Sequence, residues 1–345
     1  MNVDRAGAAN AVGAIVPEEA DIWKTDGTTV YFFNQLRGLQ VLDLANPADP
    51  RLTASLRLPA VGQDLYLLPG TGDRRLVLLT ESWSPTGGQS TRINLVKVSG
   101  GVAEIIQTKN VPGHLEGSRL AGNRLILATT EWNSPVANSY AGWTTSCRLS
   151  EWLLMADQAP RKAAETVIKG ASPLISSGPD WLAVAVHPNG QWDVSEVSAF
   201  AVRPSGLVQM APPFRTAGAV ANKFAMNWSN NVFTTISQKN WNAGRWSPTT
   251  TLENFRAWSP DVFHPMVVEG PLGKIELAKG ESLFATRFAN NKAYIVTFLR
   301  TDPLWVVDLS DPMNPAIAGH LEVPGWSTHL EPMGDLLFSI GWESG

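Results

Sequence analysis

Apolar residues along this chain come in short runs of four to eight, each closed off by Gly, Pro, Asn or Asp. Thr29–Phe33, Leu39–Leu44, Arg75–Thr80, Arg124–Thr129, Trp181–Val186, Asn231–Ile236, Lys292–Phe298 and Leu304–Leu309 all have this form. Short runs rich in β-branched and aromatic residues, bounded by turn formers, predict β-strands. Apolar residues at i, i+3, i+4 and i+7, the mark of an amphipathic helix, form no sustained run. The nearest stretch, Leu149 to Ala164, is interrupted by Pro160, which cannot donate a helical hydrogen bond. Many short strands at such spacing predict a sandwich, a barrel or a propeller.

An internal repeat decides among these. Residues 39–59 read LQVLDLANPADPRLTASLRLP, and residues 304–324 read LWVVDLSDPMNPAIAGHLEVP. Asp43 and Asp308, Leu44 and Leu309, Pro47 and Pro312, Pro50 and Pro315, and Pro59 and Pro324 match without a gap, 265 residues apart. Phe255 to Pro260 is a degenerate third copy with Arg256 in place of the Asp. At roughly 40–45 residues per blade, that offset holds about six blades. In each unit the Asx-Pro pair makes a turn, because Pro presets φ and the Asx side chain bonds nearby backbone amides. Asp43, Pro47, Asp308 and Pro312 are therefore read as structural turn residues, and Asp26-Gly27 as a hairpin signal.

The predicted fold is an all-β β-propeller of four-stranded antiparallel blades. Six complete blades are expected at about 19–60, 63–113, 117–170, 172–217, 222–279 and 282–325. A partial seventh starts at Ser327, so the propeller at 19–345 is expected to be truncated, with residues 1–18 as an N-terminal extension.

Composition narrows the function classes. The 345 residues carry 27 Lys and Arg against 31 Asp and Glu, a net charge of -4 with no basic block. Nucleic-acid binding needs clustered cations, so nucleic acid is not an expected partner. The single cysteine, Cys147, excludes an internal disulfide and a cysteine-based zinc site. No apolar run approaches the ~18 residues of a membrane helix. The N-terminal MNVDRAGAANAVGAIV lacks the sustained apolar segment of a signal peptide. The five histidines fall in five different blades, and no HExxH, GxSxG, Walker or strand-linked GxGxxG motif occurs, so no metal and no cofactor is expected.

The segments Glu281–Phe288, Lys292–Phe298, Asp302–Pro312 and Val323–Thr328 together resemble the secreted bacterial and archaeal beta-propeller domain family, a distant relative of WD repeats. Glu19–Gly27 resembles that family's opening, and Val111–Leu120 also fits. The Asp43 and Asp308 segments resemble the LVIVD repeat of surface proteins. The resemblance spans roughly residues 18–340. It implies an exported or envelope-associated propeller, an extracytoplasmic location, no particular reaction, and further sequence beyond this chain. His329 and Glu331 stand where the family pattern has an aromatic residue and a His.

Ligands of propellers gather where loops converge at one rim. The strand register puts Glu81, Glu131, Arg300 and Asp302 at that rim, with Glu81 and Glu131 at equivalent positions of adjacent blades. The loops that follow are rich in indoles, among them Trp83, Trp132, Trp143, Trp241 and Trp246, with Tyr140. Rigid aromatic platforms on polar loops suit a polymer such as a glycan or a peptide, or a protein surface. Two function classes follow. The first is a non-catalytic binding module using the indoles. The alternative is a glycosidase- or lyase-like enzyme on extracellular polymers, which requires Glu81 and Glu131 to face one pocket. A quinone- or metal-dependent dehydrogenase has no ligand cluster to support it.

Overall fold

The computed structural model describes residues 15–58, 61–70, 72–84, 88–133, 144–155, 157–210, 212–258, 267–298, 302–323, 326–334 and 336–342. Antiparallel sheets follow one another along the chain, each built from strands in chain order. The first contains Trp23–Asp26, Thr29–Asn34, Gly38–Asp43 and Arg51–Leu56. The second contains Val61–Leu67, Arg74–Ser84, Gly88–Ser99 and Val102–Pro112. His114–Ala121, Arg124–Asn133, Thr144–Leu153 and Arg161–Lys169 form the third, and Glu18–Glu19 adds a short strand beside His114–Ala121. The fourth has Ala171–Gly178, Trp181–His187, Glu196–Arg203 and Gly206–Gln209. The fifth has Met226–Ser229, Val232–Asn242, Arg245–Trp258 and Val267–Leu277. The sixth has Ser282–Ala289, Lys292–Phe298, Asp302–Asp308 and Ala316–Val323, and Trp326–Met333 pairs with Leu336–Trp342 in the seventh. Among the described residues the only helical element is the 3-10 turn Lys223–Ala225. The all-β propeller class read from the sequence is the fold observed.

The apolar runs are explained by where the strand faces go. Successive side chains point to opposite faces of a sheet. In Arg74–Ser84, Leu76 and Leu78 pack toward the first sheet while Val77 and Leu79 pack toward the third. In Arg124–Asn133, Leu125 and Leu127 face the second sheet, and Ile126 and Ala128 face the fourth. In Trp181–His187, Leu182, Val184 and Val186 face back while Trp181, Ala183 and Ala185 face the fifth sheet. A strand buried on both faces cannot alternate apolar with polar, so it reads as a continuous run.

Local devices repeat with the sheets. The hairpins Ser229–Val232 and Ala289–Lys292 turn through pairs of asparagines with positive φ, Asn230 and Asn231 at 48° and 61°, Asn290 and Asn291 at 50° and 54°. Asn tolerates this left-handed region, and the mirror-image turn matches strand twist. At or just past the end of the third strand, the N–H of Leu44, Leu154, Val202, Ala257 and Leu309 donates to the carbonyl of Thr28, Asn123, Asp180, Asn231 and Asn291 respectively, at 2.8 Å each. The pairing of third and fourth strands shifts register in the first, second, third, fifth and sixth sheets. Such bulges increase twist.

Candidate functional site

Among the described residues predicted at the rim, the indoles are the most exposed. Trp83, near the end of Arg74–Ser84, is 71% exposed. Trp241 and Trp246 are 52% and 59% exposed. They sit opposite each other across the hairpin of the fifth sheet, ring centroids 5.7 Å apart and planes at 85°. Its tip closes through Ala243 and Gly244, with φ of 50° and 75°, so that Asn242 pairs with Arg245. Asn242 Nδ2 donates to Ser247 O at 2.6 Å and stiffens the tip. An edge-to-face aromatic pair of this kind presents a ridge and a flat face to solvent together. Trp132 falls in Arg124–Asn133 and Asp302 opens Asp302–Asp308, where it pairs with Val323. Arg300, Tyr140 and Trp143 lie outside the described residues.

The carboxylates differ from the expectation of equivalent positions. Glu81 follows Val77 and Leu79 on the face of the second sheet that meets the third. Glu131 follows Leu125 and Leu127 on the face of the third sheet that meets the second. They project from opposite faces of their own sheets because one residue of offset reverses a side chain. Glu81 Oε1 lies 2.7 Å from His114 Nδ1 and accepts the Leu115 N–H at 2.7 Å. Glu131 Oε2 accepts from Arg148 Nε at 2.7 Å. The hydrogen bond to Glu131 holds the Arg148 pKa above its ordinary value, against the opposing effect of burial. Glu81 and Glu131 line different cavities. The paired-carboxylate arrangement that hydrolysis of a glycosidic bond asks for is not formed by these two groups.

A polar cluster that sequence reasoning missed lies where the first strands of successive sheets meet. Arg119 is 4% exposed. Its guanidinium donates to Ser177 Oγ at 2.8 Å, Ser118 O at 2.7 Å and Ile175 O at 2.9 Å, and lies 3.4 Å from Glu19. Lys223 also pairs with Glu19. Arg287 Cζ lies 3.7 Å, and Lys223 Nζ 5.1 Å, from the centroid of the Phe224 ring. Burial lowers the Arg287 pKa, which Glu331 partly opposes. Nearby, Tyr66 Oη is 2.8 Å from Ser118 Oγ, which donates to Asp64 at 3.2 Å. Burial raises the Asp64 pKa, and the Ser118 hydrogen bond works against it. The only sequence signal was a single charged residue interrupting an apolar first strand, as Asp64 does in Val61–Leu67. These residues come from separate repeats, so no local motif marks them. Among the described residues, no three His, Cys, Asp or Glu side chains gather as a metal site would require.

The family model described as the beta propeller domain matches residues 158–344. Similar proteins include an uncharacterized protein of Methanocaldococcus jannaschii, 37% identical over 128 residues, which are 36% of this chain and 18% of that protein. Another is an uncharacterized protein of Archaeoglobus fulgidus, 41% identical over 76 residues, 21% of this chain and 12% of that one. The matched segments thus span less than a fifth of either relative.

Proposed function

Because the chain belongs to the beta propeller domain family, we propose that it is a non-catalytic binding module of an exported or cell-envelope protein, holding an extracellular polymer on its exposed indoles. The observation that carries this reading is the Trp241–Trp246 pair, turned outward on a braced hairpin. Exposing two large indoles on one hairpin is unfavourable in water unless a partner covers them. Trp83 adds a third exposed indole. Indoles engage the apolar faces of sugar rings or peptide side chains with little loss of conformational entropy, since each has two rotatable bonds. The extracytoplasmic setting is supported by the resemblance carried by residues 281–328.

The test is a pull-down on purified cell-wall glycan with wild type and the Trp83→Ala, Trp241→Ala, Trp246→Ala triple variant. The expected result is at least a ~10-fold loss of binding, as for truncation of aromatic hot spots, with an unchanged melting temperature. A triple variant that binds as tightly as wild type rejects the reading.

A further inference from the structure

A cleft of about 700 Å³ lies between the second and third sheets. One wall is Lys109 to Pro112, and the other is the face of the third sheet carrying Thr129, Arg148 and Trp152. Its charges do not cancel. Arg148 bridges Glu131 at 2.7 Å and Glu165 at 2.8 Å, and Lys162 pairs with Glu165 at 3.0 Å. That set of two cations and two carboxylates is neutral. Lys109 and Arg161 also line the cleft, and neither has a carboxylate partner among the described residues. Lys109 Nζ instead lies 6.0 Å from the centroid of the Trp152 ring.

The cleft also holds a polar atom without a partner. Thr129 is 0% exposed, and its Oγ1 makes no hydrogen bond. The matching threonine of the second sheet, Thr80, accepts from Asn94 Nδ2 at 3.0 Å. Opposite Leu127, where the second sheet has Asn94 opposite Leu78, the third sheet has Ser150. Ser150 Oγ accepts from Trp152 Nε1 at 2.9 Å. Thr129 is thereby left with its hydroxyl unmatched in a lined cavity. Buried polar groups are nearly always satisfied, so this hydroxyl leaves a hydrogen bond to be made at the cleft wall.

We propose that this cleft binds a short acidic oligosaccharide, its carboxylates on Lys109 and Arg161 and a ring hydroxyl on Thr129 Oγ1. The volume suits a ligand of a few rings. The amides of Asn110 and Gln158 on the walls match sugar hydroxyls. Thr129 and Arg148 already pair through their own strands, so this wall offers side chains rather than open main chain. The site is separate from the indole hairpin, which belongs to the fifth sheet.

Calorimetric titration of the full chain with trigalacturonate, with a neutral trisaccharide and pentaglutamate in parallel, tests this. Trigalacturonate is expected to bind most tightly. Lys109→Ala with Arg161→Ala, both exposed side chains, weakens it about tenfold or more, the effect of losing two charge contacts. Thr129→Val weakens it about threefold while raising the melting temperature, since it removes a buried unsatisfied hydroxyl. A role in folding alone would not move affinity and stability in opposite directions. Trp241→Ala with Trp246→Ala leaves trigalacturonate binding unchanged, so loss of the polymer-binding reading and loss of this one are told apart. No binding of trigalacturonate to wild type, equal affinity in the double cation variant, or equal or tighter binding of pentaglutamate overturns the proposal.

Discussion

Burial decides what single side chains do in this molecule. Cys147 is fully buried, and burial, reinforced by Glu116, pushes its thiol up to about 12. A thiol held protonated in this way is a poor nucleophile. Glu253 is a sharper case. It is 5% exposed, its Oε2 accepts the Ala217 N–H at 2.7 Å, and that bond and the Lys274 charge favour its ionised form. Burial nevertheless raises its pKa above the usual carboxylate range. A folded-state pKa above the unfolded one means that the protonated form is the one folding favours. Its contribution is complete below the unfolded pKa and is lost as pH rises through the folded value. Glu253→Gln keeps an acceptor for Ala217 and never ionises. It is therefore expected to match or exceed wild-type stability at pH 7, with the advantage vanishing below about pH 4. Urea melts at both pH values measure this, and an advantage that grows on acidification contradicts it.

At the scale of elements, the repeat visible in the sequence is one turn built twice. Asp43 Oδ1 accepts from Ala45 N at 2.9 Å, and Asp308 Oδ1 from Ser310 N at 2.9 Å. Asn46 Oδ1 accepts from Ala48 N at 3.2 Å, and Asp311 Oδ1 from Met313 N at 2.9 Å. Pro47 and Pro312 sit between these paired acceptors and the amides they hold. Turn chemistry is local, which is why it was legible without a structure. Asp43 also accepts from Thr28 Oγ1 at 3.3 Å, tying the turn to the preceding hairpin. Asp43→Ala is expected to cost about 1 kcal/mol, the net worth of an ordinary hydrogen bond. A chemical-denaturation midpoint equal to that of wild type counts against the capping role. The strand runs were legible for the same local reason. The hairpin that carries Trp241 and Trp246 was less so, because its length depends on a register shift after Lys239 that no propensity announces.

Across the whole molecule, the sheets are held face to face, and their spacing is enforced by small residues at close approaches. A Cβ on Gly178 would stand 2.3 Å from Trp228 Cβ in the adjacent sheet. Trp228 in turn stacks on Trp181, centroids 5.7 Å apart and planes at 14°. Gly178→Ala is expected to cost about 1–3 kcal/mol through overpacking. Calorimetry that finds the variant unchanged means that the two sheets can part without penalty. The same inter-sheet geometry puts Glu81 and Glu131 on opposite faces of their own sheets. Counting along each strand made them look equivalent, but face assignment depends on which residue of each run meets which neighbour.

The sequence alone was enough for the fold class, the strand runs and the Asx-Pro turns, because each depends on residues close together in the chain. It was not enough for the site. Arg119, Lys223 and Arg287 converge from sheets far apart in sequence, and Lys109 and Arg161 reach one cleft from two of them. A position on a strand says that a side chain faces one side or the other. Only the packing of one sheet on the next decides what it meets there, whether a charge finds its partner, and whether a hydroxyl such as Thr129 is left without one.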